Sequence, residues 1–81
     1  MSADDRNAMI TGMVAKLDAE LRANPHNPEG WQRLVRSYVV LGKADAARDA
    51  LSRGVTALGD KTPEAESLQA FAASLGLTRA E

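Results

Sequence analysis

The chain has 81 residues, room for one small domain that buries roughly 60% of its unfolded surface. Ten Lys and Arg stand against 11 Asp and Glu, a formal net charge of -1, so the overall basicity that drives phosphate-backbone binding is missing and nucleic acid is disfavoured as a partner. There is no Cys, which excludes disulfides, thiolate metal sites and thiol nucleophiles, and aromatics make up only 4%, so an interior must be built from Leu, Val and Ala on closely packed helices.

Ser2 followed by Asp5 has capping-box spacing, and Met9, Ile10, Met13, Val14, Leu17 and Leu21 recur at steps of three and four, which predicts a first helix over 3–23. Asn24-Pro25-His26-Asn27-Pro28 stops it, because proline withholds the donor that a continuing helix needs. Asn27 as N-cap and Pro28 at the first helical position open a second helix carrying Trp31, Leu34, Val35, Tyr38 and Leu41 inward, and Gly42 ends it. A third helix spans about 44–58 with Ala47, Leu51, Val55 and Leu58 as its stripe. Gly54 interrupts that stripe at a helix-propensity cost of about 1 kcal/mol, which calls for a packing reason such as a close neighbouring backbone. Thr62 and Pro63 repeat the cap-then-proline opening, Ala65, Leu68, Phe71, Ala72 and Leu75 form the last stripe up to Gly76, and residues 77–81 read as a fraying tail.

Shifted by 34 residues, Leu34 falls on Leu68, Tyr38 on Ala72, Leu41-Gly42 on Leu75-Gly76, Leu17 on Leu51 and Leu21 on Val55. Each matched position has the same expected role, an inward stripe or a helix stop, and 34 is the tetratricopeptide period. The chain thus reads as the second helix of one repeat (3–23), a complete repeat (28–61) and the first helix of a third (62–76). Trp31, Leu34, Tyr38, Leu41-Gly42, Ala47, Leu51 and Gly54 resemble the tetratricopeptide signature in order, which implies an all-α fold of antiparallel helix pairs, a fragment of a right-handed solenoid with about four helices. Val35 stands where that family favours a small residue, Leu51 where it favours an aromatic and Gly54 where it favours Ala; a bulky Val35 paired with a bare Gly54 is a consistent packing of two helices. Trp31 and Tyr38 are signature core residues rather than ligand contacts.

A resemblance over nearly the whole chain runs through Met13-Val14, Leu17, Leu21, Asn24-Pro25, Glu29-Gly30-Trp31, Leu34-Val35-Arg36-Ser37-Tyr38, Val40-Leu41-Gly42 and the late Ala-Ser-Leu-Gly-Leu. It is similar to the C-terminal part of the bacterial cytochrome c biogenesis factor family CcmI, also called CycH. That resemblance implies a fragment of a longer, membrane-anchored protein whose repeat domain faces the periplasm and holds apocytochrome c, notably its C-terminal segment, for the haem ligation components. Without it the cytoplasm is the default compartment. The sequence itself has no apolar run near the roughly 20 residues that cross a bilayer, and no direct membrane contact by this segment is expected.

First helices of such repeats line a concave surface, so the outward faces of the second and fourth helices are the candidate peptide site. On the second these are Glu29, Gln32, Arg33, Arg36, Val39 and Val40; on the fourth, Glu66, Ala70 and Ala73, with Pro63 and Ser74 at its ends. The strip is mixed apolar and basic, and Arg36 or Arg33 could pair with a ligand carboxylate, Arg36 being the best single candidate. Residues 1–30, 31–61 and 62–81 carry net charges of -2, +3 and -2, a basic centre between acidic ends that either steers an acidic segment or is an ordinary solvated surface. Met9, Ile10 and Met13 at one end, and Phe71, Leu75 and Leu77 at the other, either cover the core or form exposed faces through which the chain pairs as a homodimer.

Catalytic chemistry has no support. His26 is the only imidazole and lies in the Asn-Pro turn with no ligating cluster, so no metal site and no Ser-His-acid triad is expected. The six glycines are scattered rather than gathered into a phosphate loop, and no cofactor is expected. The competing readings are a non-catalytic peptide-binding module and a structural or self-associating repeat fragment of an unrelated assembly.

Overall fold

In the computed structural model, which describes residues 3–77, the chain runs through four helices: α1 Ala3–Ala23, α2 Pro28–Val40, α3 Ala44–Leu58 and α4 Pro63–Ser74. The described residues contain no strand. None of these helices is long and apolar enough to cross a membrane. The boundaries follow from side chains that satisfy the orphan groups at helix ends. The Asn27 side-chain oxygen accepts from the Gly30 amide at 3.1 Å, and the Thr62 hydroxyl oxygen accepts from the Ala65 amide at 3.1 Å, each with proline next in the chain. The same Thr62 hydroxyl faces the carbonyls of Leu58 (3.0 Å) and Gly59 (2.8 Å), so it closes α3 as well as opening α4. The Ser2 capping box lies outside the described residues.

Positions 34 apart end their helices alike. After α2, Gly42 takes φ +76 while the Lys43 amide donates to Tyr38 O at 2.9 Å and the Gly42 amide to Val39 O at 3.0 Å. After α4, Gly76 takes φ +84 while the Leu77 amide donates to Ala72 O at 3.1 Å and the Gly76 amide to Ala73 O at 3.0 Å. Both are Schellman motifs, which need a left-handed residue and hence glycine. The motif corrects the expected tail at one position. Leu77 is only 6% exposed, because the residue after the left-handed glycine folds back on the helix it terminates; residues 78–81 lie outside the described part.

The helices pack as an antiparallel series in which α2 touches α1, α3 and α4, and α3 touches α4. The molecule is only 15 Å thin along its short axis, so the helices lie at most two deep and each keeps an outward face. The core consists of Val14 and Leu21 from α1, Trp31, Leu34 and Val35 from α2, Ala47, Ala50, Leu51 and Leu58 from α3, and Ala65, Leu68 and Ala72 from α4, closed by Leu77. No polar or charged residue is buried among the described residues. Of the end residues, Met9 (56% exposed) and Met13 (61%) face outward, Ile10, Phe71 and Leu75 are half-buried, and Leu77 is core.

Gly54 does have a packing reason, in the side chains that α2 and α4 bring against it. A Cβ at Gly54 would come to 2.6 Å from Leu68 Cδ2 and 3.0 Å from Trp31 Cγ and Cδ2. The bare backbone therefore makes room for the indole of α2 and the leucine of α4 at once, and Val35 is buried in the same core cluster. Gly30 plays the same part where α1 meets α2: a Cβ there would stand 2.8 Å from Leu21 Cδ2.

Candidate functional site

Two of the basic side chains in the central +3 segment are used internally. The Arg53 Nη2 donates to Asp18 Oδ1 at 2.8 Å, joining α3 to α1 across the edge of the core, and its guanidinium carbon sits 5.5 Å from the centroid of the Trp31 ring. Asp18 also meets Arg22 Nε at 3.0 Å, and the buried Arg53 Nε faces Asp49 Oδ2 at 3.4 Å without a well-formed hydrogen bond. Trp31 Nε1 donates to Pro25 O at 2.7 Å, which fixes the indole under this group and ties the α1–α2 connection down. Burial pushes the Asp18 carboxyl up, but the hydrogen bond and charge of Arg53, with Arg22 behind them, outweigh it and hold the group below its ordinary value. Arg48 is committed in the same way: its Nε donates to Leu77 O at 3.2 Å and its Nη1 to Asp45 Oδ1 at 3.1 Å. The i,i+3 and i,i+4 spacings of Asp45-Arg48, Asp49-Arg53 and Asp18-Arg22 were visible in sequence; the link from Asp18 to Arg53 needs α1 and α3 to be packed on α2 so that the two side chains meet.

The candidate surface residues separate into two clefts. Arg33, Arg36 and Val40 line a cleft of about 460 Å³ between α1 and α2, together with the half-buried Ser37 and opposite Ile10, Met13, Lys16, Leu17 and Glu20. Glu66, Ala70 and Ala73 line a larger cleft of about 980 Å³ between α3 and α4, with Arg48, Ser52, Val55, Thr56, Asp60 and Gln69. Neither takes in Glu29, an exposed first-turn carboxylate of α2, or the half-buried Gln32. Val39 is half-buried against the core rather than turned outward, because it stands one helical turn beyond the fully buried Val35. Val40, beside it, is 57% exposed. Pro63 and Ser74 are exposed and outside both clefts. The contribution of α1, above all Lys16, Met13 and Ile10, escaped the sequence reading, which sought a site only on the second and fourth helices.

His26 is exposed in the α1–α2 connection, and among the described residues no group of three or more His, Asp or Glu side chains could hold a metal ion. What the clefts offer is apolar contact and cationic hydrogen-bond donors on preformed helices.

A family profile described as Tetratricopeptide repeat matches residues 14–70, a stretch that reaches from Val14 of the α1 core stripe past Leu68 of α4. The chain belongs to the tetratricopeptide repeat family. Within that family this tetratricopeptide chain is similar to "Cytochrome c-type biogenesis protein CycH" of Rhizobium meliloti (strain 1021), with 49% identity over 77 residues that cover 95% of this chain and 20% of that protein. It is also similar to the protein of the same name from Bradyrhizobium diazoefficiens, with 42% identity over 77 residues, 95% of this chain and 21% of that protein. The tetratricopeptide chain thus spans about a fifth of the length of these curated relatives. No solved structure matches it significantly.

Proposed function

We propose that this chain is a non-catalytic protein-binding tetratricopeptide module that serves c-type cytochrome maturation by holding a segment of apocytochrome c for the haem ligation components. The observation that carries this reading is the similarity to two CycH proteins over 95% of the chain, at 49% and 42% identity. The helical faces support it, since preformed clefts can take a peptide without paying to order the receptor. In this reading residues 28–61 form a complete repeat, flanked by the second helix of a preceding repeat (3–23) and the first helix of a following one (62–76), and the module works in the periplasm as part of a longer, membrane-anchored protein.

Calorimetric titration of the chain with a synthetic C-terminal apocytochrome c segment tests the reading. Saturable binding with a defined stoichiometry supports it; no heat at the highest peptide concentration, under conditions where the chain is folded, refutes it. The exposure of Met9 and Met13 favours a second reading, self-association through α1, for which sedimentation equilibrium would give a mass that rises with concentration.

A further inference from the structure

We propose that the α1–α2 cleft takes an acidic peptide segment with an apolar anchor, its carboxylates received by Lys16, Arg33 and Arg36 and its apolar side chains by Ile10, Met13 and Val40. The assignment rests on the peptide-binding reading above and goes beyond it by choosing one cleft and one ligand chemistry.

The choice comes from charge and exposure. The α1–α2 cleft presents three cations against one carboxylate, Glu20, and Lys16, Arg33 and Arg36 form no ion pair among the described residues. The α3–α4 cleft has one cation, Arg48, already paired with Asp45 and with the Leu77 carbonyl, and it carries the carboxylates of Asp60 and Glu66. Exposed apolar side chains follow the same division, since Met13 at 61% and Val40 at 57% both stand on the rim of the α1–α2 cleft. Methionine adapts to varied partners through its flexible, polarizable thioether, which suits a rim that must accept more than one sequence.

The cleft also has a direction. α1 and α2 run antiparallel, with Leu21 of α1 against Gly30 of α2 at the connected end. Ile10 and Met13 therefore oppose Val40 at the open end, while Lys16 and Glu20 oppose Arg36 and Arg33 nearer the connection. A volume of about 460 Å³ lies within the small-ligand range, so the cleft holds a few side chains rather than a whole helix. The ligand it fits carries an apolar anchor about one helical turn from its carboxylates. A second copy docked through the same cleft would bring two faces of like net charge together, each with three cations and one carboxylate, which disfavours that occupant.

The test follows amide shifts of the 15N-labelled chain during titration with a synthetic peptide whose leucines and glutamates are spaced one helical turn apart. Its glutamine-for-glutamate counterpart and the C-terminal apocytochrome c segment are titrated in parallel. The expected result is shifts at Met13, Lys16, Arg36 and Val40, binding about tenfold weaker for the glutamine peptide, and an affinity that falls several-fold between about 50 and 300 mM salt. The doubly substituted Arg33→Glu, Arg36→Glu chain should lose about tenfold or more in affinity, and Val40→Ser several-fold. All three sites are exposed, and an unchanged melting temperature verifies folding. Thr56→Glu in the other cleft should change affinity less than twofold. Shifts confined to Ser52, Thr56 and Gln69, or equal binding of the glutamine peptide, would overturn the assignment while leaving the peptide-binding reading intact if the apocytochrome segment still binds. A dimer that shields the α1–α2 cleft and excludes the acidic peptide would overturn it as well. Failure of every peptide would remove both.

Discussion

Alanine at Gly54 tests the core packing most sharply, because two opposing effects of similar size meet there. Replacing a mid-helix glycine by alanine stabilises the helix by up to about 1 kcal/mol. The new methyl carbon would sit 2.6 Å from Leu68 Cδ2 and 3.0 Å from two atoms of the Trp31 ring. Leu68 is fully buried, so its methyl has no open space to rotate into, and the indole is held by its hydrogen bond to Pro25. Overpacking of this kind costs about 1–3 kcal/mol, which leaves a net loss of about 1 kcal/mol, or a melting temperature lower by about 4–8 °C for a domain of this size. Gly12, in the exposed middle of α1, supplies the internal control: a Cβ there meets nothing within 4 Å, and Gly12→Ala should raise stability by about 0.5–1 kcal/mol. Thermal and urea unfolding followed by circular dichroism gives the two signs, and the emission of Trp31, the only tryptophan, reports whether the indole has moved. If Gly54→Ala raises the melting temperature as much as Gly12→Ala does, or if Gly54→Leu leaves it unchanged, the close approach of α2, α3 and α4 at this point is wrong.

Asp18→Asn should destabilise the chain by about 1 kcal/mol at neutral pH, since it weakens a partly exposed charge-assisted contact. Because the folded-state carboxyl is depressed, its contribution is present above the ordinary aspartate value near 4 and disappears as pH falls through the folded value; denaturant midpoints measured from pH 6 downward should show an acid decline that is shallower in the variant. Thr62→Ala and Asn27→Ala should each cost about 1 kcal/mol in urea unfolding, with Thr62→Ala the larger because its hydroxyl serves two helix ends. Trp31→Phe keeps most of the apolar volume but loses the 2.7 Å bond to Pro25 O, and a loss of about 1–2 kcal/mol is expected; an unchanged unfolding midpoint would show that the bond contributes nothing net.

Local chemistry made the helices legible and left their neighbours open. Asn27-Pro28 and Thr62-Pro63 place helix starts because capping oxygen and proline act within a single turn, and Gly42 and Gly76 place helix ends because only a left-handed residue closes a Schellman motif. Stripes such as Leu34, Val35 and Tyr38 told which face turns inward, but a stripe does not name the helix it meets. Gly54 shows the difference: its need for space was evident from its place in a helix, whereas its partners, Trp31 and Leu68, belong to two other helices. Val39 shows it for the surface, since the step from outward to half-buried is the turn of one residue about the α2 axis.

The amino-acid sequence by itself determined an all-α chain with a 34-residue period, four helix boundaries and a core of small aliphatic side chains, because periodicity, caps and glycine stops act over a few residues. Tertiary structure alone decided which arginines are spent. Arg53 and Arg48 are drawn into contacts with Asp18 of α1 and with the carbonyl after α4, while Arg33 and Arg36 are left beside Lys16 on an open cleft. The physical reason is that an ion pair between helices depends on their relative placement, and side chains with the same charge in the same segment acquire opposite roles once the helices pack.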